Sequence, residues 1–332
     1  MSRKGVAVAL TYCGAVVGAG FATGREVVDF FTVYGRMGLL GVAVALALFI
    51  WVGTTILDIT HSKEIYSYHG LLKLVLTWPP AVFIADAVFC LSLLIGAGVM
   101  TAAATAVVGG DGFSNILFGT IFLAICVLLL YRGSSGLLRA NTVLVPVLVV
   151  GIIALSAVEL SAPVFVLLRP GPVFAAVLYV GFNTAMAAVV LTTLGEQLDA
   201  KAARTGGWLG GIFLASMLLM VYLATSGVTN VPLPMVALAE KWLGDWAWAY
   251  KLSLLAAVLT TALANIHGLA SRMSAYGAGY RPLVVGSALA ALVISRLGFS
   301  SLVRVAYPLL GYCNIVLLVG LCYYKCKQRR NQ

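Results

Sequence analysis

Residues 16–24 read Val16-Val17-Gly18-Ala19-Gly20-Phe21-Ala22-Thr23-Gly24, and they interrupt an apolar segment that runs from Gly5 to Val17 and resumes from Val27 to Tyr34. Gly14, Gly18, Gly20 and Gly24 each cost about 1 kcal/mol relative to Ala inside a helix. Clustered as they are, they predict an unwound turn halfway along a membrane span. Lipid cannot satisfy free N–H and C=O groups, so unwound backbone at that depth must be buried in protein or line a cavity. Interrupted helices of this kind form the central sites of many secondary transporters. A second reading is open on the glycines alone. Gly14/Gly18 and Gly20/Gly24 also fit the small-xxx-small spacing of a close-packing face.

Composition supplies the setting. The chain has 332 residues, of which 62% are hydrophobic and 10% charged, with a mean hydropathy of +1.05. A soluble domain carries roughly 25% charged residues, so this is an integral membrane protein whose first partner is the lipid bilayer. Its apolar segments have helix length rather than the alternating ten-residue pattern of an outer-membrane barrel. No stretch is polar enough to form a separate soluble domain, and residues 1–332 read as a single polytopic unit. The net charge of +10 sits in short loops and in the tail Lys325, Lys327, Arg329 and Arg330, as topology signals rather than a nucleic-acid surface. Cys13, Cys90, Cys126 and Cys313 fall inside apolar spans as small hydrophobes, and Cys322/Cys326 lack a nearby His for a metal site.

Apolar runs predict about ten helices, at 5–34, 38–57, 81–107, 115–131, 141–158, 173–195, 207–226, 247–273, 283–296 and 302–324. An even count puts both termini on one side. With the N-terminus cytoplasmic, 14 of the 21 Lys and Arg residues fall inside, among them Arg132, Arg139, Lys201 and Arg204. The remaining seven, including Arg169 and Arg304, fall outside or in the outer halves of helices, so the bias predicts N-in, C-in in the cell inner membrane. Residues 59–80 read as a cytoplasmic interfacial helix. Residues 228–250, with Trp242, Trp246 and Trp248, read as an external loop and short helix, serving as a lid or an aromatic anchor.

The sixth segment contains Gly181-Phe182-Asn183-Thr184, which aligns with Gly20-Phe21-Ala22-Thr23 of the first. Each tetrad opens a half of five spans, about 5–158 and about 173–324, and an odd number of spans per half inverts the second half relative to the first. Paired interrupted segments at matching positions point to a site between inverted repeats.

The run Gly14-Ala15-Val16-Val17-Gly18-Ala19-Gly20-Phe21-Ala22-Thr23-Gly24-Arg25-Glu26 resembles the first helix of the YkvI-type family, proteins described as amino-acid permeases related to the amino acid–polyamine–organocation (APC) superfamily. The resemblance implies an all-α, LeuT-type five-plus-five inverted repeat with interrupted helices 1 and 6. It also implies secondary transport.

A half-helix N-terminus attracts an anion, which nominates Gly18, Ala19, Gly20 and Phe21, with Thr23 as a hydroxyl donor. Freed carbonyls around Tyr179, Gly181 and Phe182 would accept an ammonium group, and Asn183 adds a polar side chain at depth. A site taking both charges suits a zwitterion such as an amino acid. By resemblance to sodium-coupled LeuT-type transporters, the Thr260 and Thr261 hydroxyls with the carbonyls of Ala257, Gly14 and Val17 would hold Na⁺, the one cofactor-like ion expected. Against this, a membrane Thr commonly bonds back to its own helix. The apolar Phe21 argues for a single coupling ion. Arg25 and Asp29, at i, i+4, suggest a gate, with Glu26 in a locally paired interfacial cluster beside them. Asp58 and Asp86 read as helix-end residues, His267 as a packing residue or proton relay, and Asn265 as ligand or inter-helix glue.

The reading that results is a Na⁺-coupled symporter of an amino acid or similar solute. The alternatives are an H⁺-coupled transporter and a non-transporting nutrient-sensing receptor on the same fold. An enzyme is disfavoured: the chain has no Gly-x-Ser-x-Gly, no His-Glu-x-x-His and only three histidines.

Overall fold

The computed structural model describes residues 3–109, 112–131, 148–159, 171–194, 198–274 and 276–330, and no strand occurs among them. The first span is in three pieces, α1 (Arg3–Val16), α2 (Ala19–Ala22) and α3 (Arg25–Phe30). A 3-10 segment, Thr32–Met37, leads into α4 (Gly38–Lys63). Then come α5 (Tyr68–Val75), α6 (Pro79–Val108), α7 (Gly112–Tyr131) and α8 (Leu148–Val158). The second half holds α9 (Pro172–Leu194), α10 (Ala200–Thr225), α11 (Pro234–Leu243), α12 (Ala247–Ser274), α13 (Tyr280–Ser295) and α14 (Phe299–Arg330). Seven helices are long and apolar enough to cross a membrane; the broken first span, α8 and α13 bring the described spans to ten. Residues 141–147 of the expected fifth span, with Arg132, Arg139 and Arg169, lie outside the described residues.

Local chemistry sets the helix starts. Pro79 and Pro234 open α6 and α11, where the missing N–H costs nothing. Asp199 caps α10 by accepting from the Ala202 amide at 2.6 Å. That helix therefore begins before the expected residue 207 and runs straight through Gly206, Gly207, Gly210 and Gly211. These glycines pack rather than break. A Cβ on Gly207 or Gly211 would lie 2.6 Å from the backbone of Thr54 or Ile50 on α4, and Gly206 and Gly210 face Val8 and Tyr12 of α1. The 59–80 connection is more structured than an interfacial helix requires. α4 runs on to Lys63, and α5 buries Leu71, Leu72 and Val75 against α6, α9 and α14.

Helix contacts obey a hidden symmetry. Exchanging α1 with α9, α4 with α10, α6 with α12 and α7 with α13 leaves the packed pairs among these eight helices unchanged: α1·α10 becomes α9·α4, and α6·α13 becomes α12·α7. The pairs α1·α9, α4·α10, α6·α12 and α7·α13 map onto themselves. Two groups of four result, α1/α4/α9/α10 and α6/α7/α12/α13, with α14 touching both. The starts of α1 and α10 and the ends of α4 and α14 meet at one face, here called the termini face, where Gly5 packs on Thr205 and Lys325 pairs with Asp58. The opposite, far face carries α11 and the starts of α4, α9, α12 and α14.

Candidate functional site

The chain breaks twice in its first span. After α1, Gly18 is extended (φ −94°, ψ −172°) and its amide bonds to Val16 O at 2.9 Å. One turn of α2 follows, closed by Ala22 N to Gly18 O at 3.0 Å and Thr23 N to Ala19 O at 2.8 Å. Gly24 then takes φ +78°, a left-handed conformation that favours glycine, and α3 begins. The freed carbonyls have partners in the far-face segment. The Tyr250 hydroxyl donates to Ala22 O at 2.6 Å, and the Met235 amide donates to Thr23 O at 2.9 Å. Residues 228–250 therefore cover the break with the buried side of α11 (Met235, Leu238, Ala239), while Trp242, Trp246 and Trp248 stay exposed.

α9 departs from expectation. It is one continuous helix from Pro172 to Leu194, so residues 179–184 are wound and offer no freed carbonyls. Asn183 Nδ2 donates back to Tyr179 O at 2.9 Å and the Thr184 hydroxyl to Val180 O at 2.6 Å. The lone glycine there is used for contact. A Cβ on Gly181 would sit 3.2 Å from Gly311 O, and one on Gly311 would sit 2.6 Å from Leu178 O. A single glycine among Ala and Val does not outweigh an intact hydrogen-bond ladder.

The two segments nevertheless face each other through side chains. Tyr179 is fully buried, with Phe30 and Phe31 rings at 5.3 and 5.2 Å and Phe49 at 6.1 Å. Phe182 stacks on Tyr307 of α14 at 4.3 Å. Into this cluster comes Glu26. Its side chain is 4% exposed and folds over Gly20, where any Cβ would collide with the carboxyl group. Glu26 Oε2 and the Tyr179 hydroxyl make no well-formed hydrogen bond, although the two groups lie within interaction range of one another, with Tyr307 alongside. Buried polar atoms are nearly always paired, and a carboxyl group in a membrane interior is costly without a cation or proton.

Glu26 thus leaves the Arg25/Asp29 cluster to which the sequence assigned it. Arg25 grips Asp29 through Nε–Oδ2 (3.0 Å) and Nη2–Oδ1 (2.7 Å). The pair is buried; Arg25 Nη1 also donates to Val231 O at 3.3 Å, and Arg304 Nε lies 4.0 Å from Asp29 Oδ1. On a helix Glu26 points about 100° away from Arg25 and shares a face with Phe30. That i, i+4 relation to an aromatic was the readable sign.

Thr23 is committed as well. Its hydroxyl donates to Gly20 O at 2.8 Å, and Gly18, Ala19, Gly20 and Phe21 line the break around it. Of the sodium residues, Thr260 and Thr261 both donate to the Ala257 carbonyl, at 3.0 and 2.9 Å. α12 packs on α2, while Gly14 and Val17 flank the end of α1, where Val17 N bonds to Cys13 O at 2.7 Å. Asp86 is not a free headgroup residue: Arg272 holds both its oxygens, at 2.6 to 3.0 Å. His267 bonds to the Tyr280 hydroxyl at 2.8 Å, and Asn265 packs across on Gly96 between α12 and α6.

No protein-family model matches the chain. It is similar to the uncharacterized membrane protein YkvI of Bacillus subtilis (strain 168), at 27% identity over 341 residues, covering 98% of this chain and 97% of that one. It is also similar to the uncharacterized protein YyaD of the same organism, at 26% identity over 341 residues and 97% of each chain. Among solved structures it resembles Mhp1, a nucleobase-cation-symport-1 family transporter, in a closed conformation with bromovinylhydantoin bound (TM-score 0.61, 16% identity, 91% of this chain and 73% of that one). The inward-facing conformation of Mhp1 is similar too (TM-score 0.59, 16% identity, 98% and 77%). The fold is therefore the LeuT type, in a multi-pass all-α membrane protein.

Proposed function

We propose that the chain is a secondary active transporter of a small zwitterionic solute, an amino acid or close analogue, working by alternating access in the manner of the APC superfamily. One observation carries the reading: an unpartnered, buried carboxyl oxygen on Glu26, held inside the break of the first span and beside the Tyr179 hydroxyl. A buried acid without a partner favours a cation or proton, and a solute ammonium group supplies one. Phe21, Phe182 and Tyr307 would enclose the apolar part, and Arg25–Asp29 would close the far-face gate. In this reading residues 5–158 and 173–324 are the two inverted halves, and the group α1/α4/α9/α10 rocks against α6/α7/α12/α13.

Sodium at Gly14, Val17, Ala257, Thr260 and Thr261 is the first coupling reading. Supporting it, α12 packs on α2, and Thr260 and Thr261 point their hydroxyls at one carbonyl. Each hydroxyl oxygen keeps acceptor capacity after donating. Proton coupling is the second reading, favoured by Glu26 itself. Uptake of the standard amino acids into proteoliposomes, driven by an imposed Na⁺ or pH gradient, tests both. Uphill accumulation of at least one amino acid that disappears in Glu26→Gln supports the proposal. Solute binding with no accumulation under either gradient would replace it with the sensing-receptor reading.

A further inference from the structure

A separate feature of the termini face, independent of the transport reading, is a groove of about 1050 Å³ between the ends of α4, α10 and α14. Lys201, Arg204 and Trp208 line it from α10 at i, i+3 and i+7, one face of that helix. Trp51, Thr54 and Asp58 line it from α4 with the same spacing. At 1.5 Å per residue, Trp208 sits roughly 10 Å deeper than Lys201 and roughly 6 Å deeper than Arg204, and Trp51 roughly 10 Å deeper than Asp58. The groove is thus charged at its mouth and aromatic towards the hydrocarbon.

Among the described residues its basic side chains outnumber its acids: Lys325 pairs with Asp58, and Asp199, which caps the Ala202 amide, leaves one negative charge near Lys201 and Arg204. Lys201 and Arg204 are exposed and make no ion pair among the described residues. These two cations, unpaired among the described residues, stand in the first turns of α10, at the end of the helix bundle. The groove is far larger than a bare inorganic anion needs, and its tryptophans suit the boundary between headgroup and acyl chain.

We propose that this groove binds an anionic phospholipid, with its phosphate on Lys201 and Arg204 and the first part of its acyl chains along Trp208 and Trp51. The floor is rigid because Gly207 and Gly211 bring α10 against the α4 backbone. Bound lipid therefore bridges α4, α10 and the end of α14.

The test uses the full chain in detergent, with phosphatidylglycerol and phosphatidylcholine as probes, read by native mass spectrometry and thermal shift. The wild type should retain and be stabilised by phosphatidylglycerol in preference to phosphatidylcholine. Lys201→Gln/Arg204→Gln should weaken that preference by roughly thirtyfold. Lys63→Gln/Lys73→Gln, which removes equal charge from the same face outside the groove, should leave it intact. Unchanged preference in the first variant, or equal loss in the second, overturns the proposal. So does inorganic phosphate that stabilises the protein alone and displaces the lipid, which would mark a site for a free anion. If the double variant does not fold, Trp208→Ser should show the loss of phosphatidylglycerol retention, and retention at wild-type level would refute the assignment.

Discussion

Helix one and helix six carry the same Gly-Phe-x-Thr tetrad, yet one is broken twice and the other is wound without interruption. The tetrad does not decide between them. Around Gly20 stand Gly14, Gly18 and Gly24, and the carbonyls lost from the ladder are satisfied from elsewhere, by Tyr250 and Met235. Around Gly181 stand Ala, Val and Leu, and Asn183 and Thr184 bond back to their own turn. Glycine in a membrane helix serves either a break or a contact. A break needs outside donors and acceptors to replace what the helix gives up.

That contrast can be sharpened experimentally, beginning with the contact glycine. Gly311→Leu forces α14 away from the Leu178 carbonyl and should cost about 3 kcal/mol or more, read as loss of folded, monodisperse protein. If it is tolerated, helix six does not depend on close backbone approach. Gly20→Ala should come next, at roughly 1–3 kcal/mol from the collision with the Glu26 carboxyl, together with loss of solute binding measured by thermal shift. Glu26→Gln should leave stability unchanged or raised by about 1 kcal/mol, since it replaces a buried acid that makes no well-formed hydrogen bond with a neutral group of the same shape, while abolishing accumulation. A large destabilisation would mean that Glu26 has a structural partner. Smallest of all, Gly18→Ala should stay within about 0.5 kcal/mol, because the backbone is in an ordinary extended conformation with open space around it. Damage matching that of Gly20→Ala would show that the break itself needs glycine there.

The fold was legible because hydropathy alone defines spans in lipid, and the glycine cluster at 14–24 placed the principal break. The continuous helix six was not, since a short motif match says nothing about whether external groups stand ready to satisfy a broken ladder. The expected start of α10 at 207 came late because an apolar run stops at the charges of Lys201 and Arg204, which the helix carries in its first turns after the Asp199 cap. Of the nominated residues, Tyr179 lies against Phe30 and Phe182 against Tyr307, and both tyrosines stand near Glu26. Glu26 itself was grouped with its sequence neighbours, when its direction on the helix separates it from them.

The bonds from Tyr250 and Met235 to the carbonyls of Ala22 and Thr23 set a condition on any opening at the far face. Lifting α11 would strand the Thr23 carbonyl, and moving the start of α12 with it would strand the Ala22 carbonyl as well, in a medium that cannot solvate them. Water has to arrive as the cover leaves, so hydration of the vestibule and displacement of the cover are a single thermodynamic event. A dry opening is forbidden by the backbone itself.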